Sequence, residues 1–315
     1  MAITLGLGVT YHDTSVETSG KSPTRAIFGY GSMNFSFYGS NLVNNYGGVS
    51  TDVTLVGTGR GSLAAAGYGG DKAIFAYGSN PDGSFSISNL VSNTGVVGSN
   101  VTGVGTARTQ LAASGYGGDK ALFALGFVTG VAQSIKNLVS NTGVISGDST
   151  GAATARFSSA AASYGGDKAI FGYGTINTGA INISSLVSNT GIFGSDIAGV
   201  GTARYGLAAA GYGGDKAIFG YGFNEPTMGN QIYYSITNLV TNTGAVGSDV
   251  TGVGTARTRL AAAGYGGDKA IFGYGTNASG FTSVTNLVSN TGVVATDTTG
   301  VGSQRDSLAA ASYSS

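Results

Sequence analysis

A six-residue phrase returns six times along this chain, and its period constrains the fold more than any other feature. Ala-Ile-Phe-Gly-Tyr-Gly, or a near variant, begins at Ala26, Ala73, Ala121, Ala169, Ala217 and Ala270, at spacings of 47, 48, 48, 48 and 53 residues. Tyr-Gly-Gly-Asp-Lys precedes five of the copies, as at Tyr212–Lys216. Asn-Leu-Val follows, as at Asn89, Asn137, Asn238 and Asn286, then Asn-Thr-Gly, then Val-Gly-Thr-Ala-Arg. A period of this length makes each repeat one supersecondary unit that buries its apolar face against its neighbours. The 315 residues therefore need not divide into two domains, as length alone would suggest.

Within one unit the pattern predicts four strands, at Arg259–Gly264, Lys269–Gly273, Thr282–Ser289 and Gly292–Thr298. Gly266-Gly267-Asp268 and Asn290-Thr291-Gly292 are tight-turn sequences between them, because positive φ is cheap for Gly and tolerable for Asn and Asp. Four short strands in about 48 residues are the content of a propeller blade. The first strand reads Leu-Ala-Ala-Ala, at Leu63, Leu207, Leu260 and Leu308. Ala is a poor strand former, and small side chains suit strands that crowd around an axis.

The two ends of the chain complement each other. Arg305–Ser315 reads as a first strand with nothing after it, and the segment from Arg25 reads as a second strand with nothing before it. Paired, they complete one blade and leave no sheet edge open. The expectation is an all-β, six-bladed β-propeller with four antiparallel strands per blade, over residues 25–315. Its blades span 25–59 with 305–315, then 60–107, 108–155, 156–203, 204–256 and 257–304. Residues 1–24 form an N-terminal extension, a candidate docking arm.

Composition narrows the function. There are 57 glycines, 3 prolines, no cysteine and no tryptophan, yet 41% of residues are hydrophobic and recur in order, which argues against low-complexity disorder. Basic and acidic residues balance at 15 each, so nothing favours phosphate neutralisation and no nucleic-acid partner is expected. Without cysteine there are no disulfides, thiol nucleophiles or thiolate metal sites. Met1–Val9 lacks a basic n-region and a long apolar run, so neither a signal peptide nor membrane insertion is predicted.

The order of residues in one unit resembles the kelch repeat. Arg257, Leu260–Ala263, Gly266-Gly267-Asp268-Lys269, Ala270–Phe272, Gly273-Tyr274-Gly275 and the strand around Val284–Val288 fall in the kelch sequence of elements. Tyr274 splits the glycine pair, and the fourth-strand Trp of that family is absent. The wording Tyr-Gly-Gly-Asp-Lys-Ala-Ile-Phe-Gly-Tyr-Gly is also similar to Gly-rich repeat proteins of tailed bacteriophages, especially aquatic ones. That likeness implies a virion component: a tail fibre, a tail-associated protein or a capsid decoration.

Candidate functional residues fall into two groups. Arg60, Arg108, Arg156, Arg204, Arg257 and Arg305 share one register, and Asp71, Asp119, Asp167, Asp215 and Asp268, each followed by Lys, share another. Identical groups repeated around a ring suit structure better than catalysis, where residues take different roles. His12 is the single histidine, so a multi-histidine metal site is excluded. A serine triad using His12 would have to form in the extension. A glycosidase pair would need two of Asp13, Asp82, Glu225 and Asp306 brought together. No metal, cofactor or catalytic residue is expected, and no set of distinct polar residues is seen to converge on the axis.

The second group lies in the segments after each Gly-Tyr-Gly, which vary in length and content and should all open on one face. They carry Phe35, Phe37, Tyr38, Phe85, Phe127, Glu225, Met228, Gln231, Tyr233 and Tyr234. Aromatic rings on loops of a rigid scaffold suit sugar rings or a protein partner. The expectation is a non-enzymatic virion attachment protein whose partners are other virion proteins and a host-surface glycan or protein. Alternatives are a capsid decoration protein, or a secreted or cell-surface lectin-like or scaffold propeller.

Overall fold

The computed structural model describes residues 24–151, 154–227 and 229–314. The extension expected over 1–24, apart from Thr24, and the loop candidate Met228 lie outside them. Among the described residues all regular structure is β and there is no helix. Six antiparallel sheets of three or four strands recur with the repeat. The second is representative: Ala64–Tyr68, Lys72–Ala76 and Ser88–Val91 pair in sequence order. Ile, Phe and Val fill the middle strand, as a surface buried on both sides requires.

The first sheet is made from both ends of the described chain. Ala309–Ser314 pairs antiparallel with Thr24–Gly29, setting Ala26 opposite Ser312 and Ile27 opposite Ala311, and Thr24–Gly29 pairs in turn with Ser40–Val43. The first strands of successive sheets pack side by side. Ala112–Tyr116 touches Ala64–Tyr68 and Ala160–Tyr164, and Ala309–Ser314 touches both Ala261–Tyr265 and Ala64–Tyr68.

Apolar clusters fill the joints between sheets. Ala64, Ala66 and Ile74 of the second meet Ala121, Phe123 and Val139 of the third. Ala263, Tyr265 and Ile271 of the sixth meet Ala26, Phe28 and Val43 of the first. At one end of the first strands, backbone hydrogen bonds run in a circuit. Ser62 N–H donates to Ser307 O, Ser307 to Arg259, Arg259 to Gly206, Gly206 to Ser158, Ser158 to Gln110, and Gln110 to Ser62, at 2.7–2.9 Å. The arrangement is compatible with a β-propeller.

Two expectations need revision. The fourth strand is regular only in the third and fourth sheets, as Ser149–Thr150 and Phe193–Ile197. Elsewhere it is reduced to isolated bridges such as Ser88↔Val101 and Val91↔Val97. The segment holds one residue more than its partner between the two bridges, a bulge that turns Asn100 toward Asn89. The variable segments, in turn, are short hairpins and not loops, for example Phe223–Asn224 with Ile232–Tyr233 and Thr276–Asn277 with Gly280–Phe281. Gly143 shows why Asn-Thr-Gly ends in glycine. Its φ is +84°, and a Cβ there would stand 2.9 Å from the Tyr68 ring.

Candidate functional site

The six repeated arginines are fully buried, each at 0% exposure. Arg60 donates from Nε to Tyr77 O at 2.7 Å, from Nη1 to Thr58 O at 3.0 Å and from Nη2 to Asn89 Oδ1 at 2.8 Å. Its guanidinium lies 4.4 Å from the centre of the Tyr30 ring, which belongs to the preceding sheet. The tyrosine of Gly-Tyr-Gly reaches this position through a left-handed backbone, φ 61° at Tyr30 and 63° at Tyr77. Each such tyrosine binds two sheets: Tyr77 O accepts from Arg60, its ring lies under Arg108 at 4.2 Å, and its hydroxyl donates to Val104 O. Burial pushes the Arg60 guanidinium below its ordinary pKa, opposed by the Tyr30 ring. Burial likewise pushes the Tyr173 and Tyr274 phenols up to about 12.

Behind each arginine the charge is relayed outward. Asn137, which accepts from Arg108, donates to Asp148 Oδ1 at 2.9 Å, and Asp148 also accepts from the Thr106 N–H. Two sheets depart from the scheme. Asn100 replaces the aspartate in the second sheet. In the fourth, Leu125 stands where the stacking tyrosine belongs and Ser185 replaces the asparagine; Arg156 Nε is left without a partner.

The Asp-Lys turns occupy the opposite end of the first strands from the hydrogen-bonded circuit. Each aspartate pairs with the lysine after it, from Asp71–Lys72 to Asp268–Lys269 at 2.7 Å, and Asp119, Asp167 and Asp268 also accept from an Asn-Thr-Gly asparagine. Such exposed pairs are screened by solvent and add little to stability. Thr24 lies at this end, its carbonyl accepting from Gly266.

The hairpin end is different in kind. Here a depression of about 510 Å³ is lined by the circuit residues and by Phe223, Glu225, Gln231 and Tyr233 of the fifth-sheet hairpin. The circuit register holds Ser62, Gln110, Ser158, Gly206, Arg259 and Ser307, all at positive φ. That conformation is uncommon for residues other than Gly, Asn and Asp, yet one position alone is Gly. The next register is Leu in five repeats and Ser159 in the sixth. Ser159 is 8% exposed and its hydroxyl has no hydrogen-bond partner, an omission that costs about 1–3 kcal/mol.

Several different polar residues line this depression. Burial raises the Tyr205 phenol above its ordinary pKa, Glu225 adds to the rise and Arg259 opposes it, which places all three within electrostatic reach. Arg259 is 3.5 Å from the buried Asp306. Phe223 packs edge-on to Tyr205 at 5.3 Å and to Tyr233 at 5.1 Å. The Ser158 hydroxyl donates to Gln110 Oε1 at 2.6 Å.

The other candidates are scattered. Phe127 packs at a tilt against Phe157, ring centres 4.6 Å apart, in a neighbouring hollow. Phe35 stands 83% exposed on its hairpin tip, Phe37 packs near Gly59, and Tyr38 approaches Arg305 at 6.0 Å. Phe85 and Tyr234 are half-buried and donate backbone N–H groups to Gly78 and Gly222. Sequence reasoning missed Gln110, Ser159, Tyr205 and Arg259. Their signal was departure from the repeat at fixed registers, in positions read as the start of a strand.

Among the described residues no group of three or more His, Cys, Asp or Glu side chains could hold a metal, and no helix is long and apolar enough to cross a membrane. No family model matches this chain. No curated protein matches it either.

Proposed function

We propose that this chain is a closed six-bladed propeller, kelch-like in its repeat, that works by binding and serves as a tail- or fibre-associated attachment protein of a virion. The joint between the sixth and first sheets and the hydrogen-bonded circuit support closure. One observation carries the binding reading. In a chain whose repeats are nearly identical, the registers around one axial mouth hold Ser, Gln, Ser, Gly, Arg and Ser, with the longest hairpin folded beside them. A structural ring needs no such difference, whereas a site for one ligand needs different residues in different places.

Binding is favoured over catalysis because, among the described residues, the lining offers one carboxylate, Glu225, and no histidine or thiol to pair with it as acid and base. Placement in a virion rests on the similarity of the repeat wording to phage Gly-rich proteins. The geometry suits it: the chain passes through Thr24 at the Asp-Lys end, so an anchor in residues 1–24 would leave the hairpin face pointing outward. The partners are then virion proteins at the first end and a host-surface glycan or protein at the second.

Immunogold labelling of virions with an antibody to the isolated propeller tests the proposal. Label on tails or fibres is expected. Label spread over the head would mean a decoration protein, and particles without label would leave a soluble lectin-like protein.

A further inference from the structure

We infer that the depression at the hairpin end binds a neutral saccharide unit, an inference that rests on the reading of that end as the binding face. Three observations converge on this ligand class. The volume of about 510 Å³ lies within the range of small-molecule sites and is right for one or two sugar rings. The half-buried Tyr205 and Tyr233, backed edge-on by the buried Phe223, form an aromatic wall of the kind on which the C–H face of a pyranose packs.

The polar groups fit hydroxyls in particular. Arg259, 64% exposed, keeps donors beyond its contact with Asp306, and the Gln110 amide can donate while its oxygen accepts from Ser158. Glu225 accepts from the Gly229 N–H through one oxygen, and its other oxygen can accept again. A polyol both donates and accepts, so it can satisfy this mixture. A phosphate or carboxylate only accepts, and would meet Glu225 as a like charge. Among the lining residues Glu225 and Arg259 are the charged ones, and their formal charges cancel; the site therefore has no net preference for an ion.

Ser159 marks a further departure from the repeat beside the depression. It replaces the leucine of the five other repeats, lines the depression and makes no hydrogen bond. Its oxygen is covered by protein atoms, so Ser159 contributes to the shape of the depression and not to its hydrogen bonding.

The test uses the repeats against each other. In the full-length triple variant Gln110→Ser, Ser159→Leu, Arg259→Ser, each register takes the residue that most other repeats carry there, which should spare the fold. Saturation-transfer NMR would present wild type and variant with methyl glycosides of neutral hexoses and N-acetylhexosamines, with uronic and sialic acids as acidic comparators. Saturation of at least one neutral glycoside is expected, with affinity falling roughly tenfold or more in the variant, the equivalent of losing one or two hydrogen bonds. Should the triple variant not fold, Tyr233→Ala, on the hairpin surface, should weaken binding with an unchanged circular dichroism spectrum. No saturation of neutral glycosides, saturation of acidic sugars alone, or undiminished binding by the variants would overturn the inference. Gold on tails without glycoside binding would leave attachment standing and remove the saccharide. Glycoside binding without gold on virions would do the reverse.

Discussion

In the fourth sheet a buried guanidinium lacks two partners that its equivalents keep. Arg156 has neither the tyrosine ring, because residue 125 is Leu, nor the asparagine, because residue 185 is Ser, and its Nε is unsatisfied. Restoring both with Leu125→Tyr and Ser185→Asn should stabilise the protein by about 1–2 kcal/mol, mainly from a desolvated cation–π contact. Thermal melts would check this, and a lower midpoint would mean that the local packing has adapted to Leu125. The arginine register was legible from the sequence, but its burial was not, since a charge reads as surface unless its partners are recognised. The clue was that Tyr and Asn recur on the same period. Beyond the arginines, Asp52, Asp148, Asp196, Asp249 and Asp297 are pushed up by burial, yet held net below the usual carboxylate range by hydrogen bonds from Ser, Thr and Asn groups. Their folded pKa values are depressed, so their contribution is complete above the unfolded value of about 3.9 and is lost as pH falls through the lower folded values. Melting temperature should therefore be insensitive to these groups between pH 5 and 7, on the order of those limits, and fall below about pH 4. A decline already under way at pH 6 would mean another group controls stability.

At the scale of elements, the alanine-rich first strand shows how packing overrides propensity. Ala262 pairs with Phe272 and belongs to the cluster between the fifth and sixth sheets, together with Ala208 and Ala210. Ala262→Leu should overpack this joint and cost on the order of 1–3 kcal/mol. A denaturant titration would read the loss, and an unchanged midpoint would show that the space beside the first strands accepts a larger side chain. The second and third strands were readable from their Ile, Phe and Val content. The fourth was read too regularly, because its alternation hides a bulge whose purpose, aiming Asp or Asn at the buried network, depends on tertiary contacts. The lining of the depression was missed for a similar reason. Arg259 precedes an apolar run and looks like the first residue of a strand. Its φ of 53° instead turns the backbone into the circuit, and a single repeat contains no sign of that turn because the hydrogen bond goes to Gly206 of another.

For the whole molecule, the question is how much of its stability passes through the joint made by the two ends. That the ends complement each other was legible, because each carries the half-repeat that the other lacks. Residues 305–315 contribute the strand paired with Thr24–Gly29 and two bonds of the circuit through Ser307. Leu308 and Ala311 lie in the clusters on either side of the first sheet. Arg305 bonds to Tyr30 O and to Asn41 Oδ1 and stacks on Tyr274. Deleting Arg305–Ser315 would remove all of these and leave Asn41 and the Tyr30 carbonyl buried without that donor. Apolar burial and hydrogen bonds of this number amount to on the order of 10 kcal/mol, comparable with the whole stability of about 5–15 kcal/mol typical of a folded domain. It would also expose Thr24–Gly29 as an unpaired edge, an invitation to aggregation. The truncated chain should show no cooperative thermal transition and should elute from a sizing column as aggregates. A synthetic peptide of residues 305–315, added during refolding, should restore a melt by supplying the missing strand. If the truncation melts as sharply as the full chain, the ends do not hold a ring together, and the remaining sheets must form a stable open array in which each joint carries only its own neighbours.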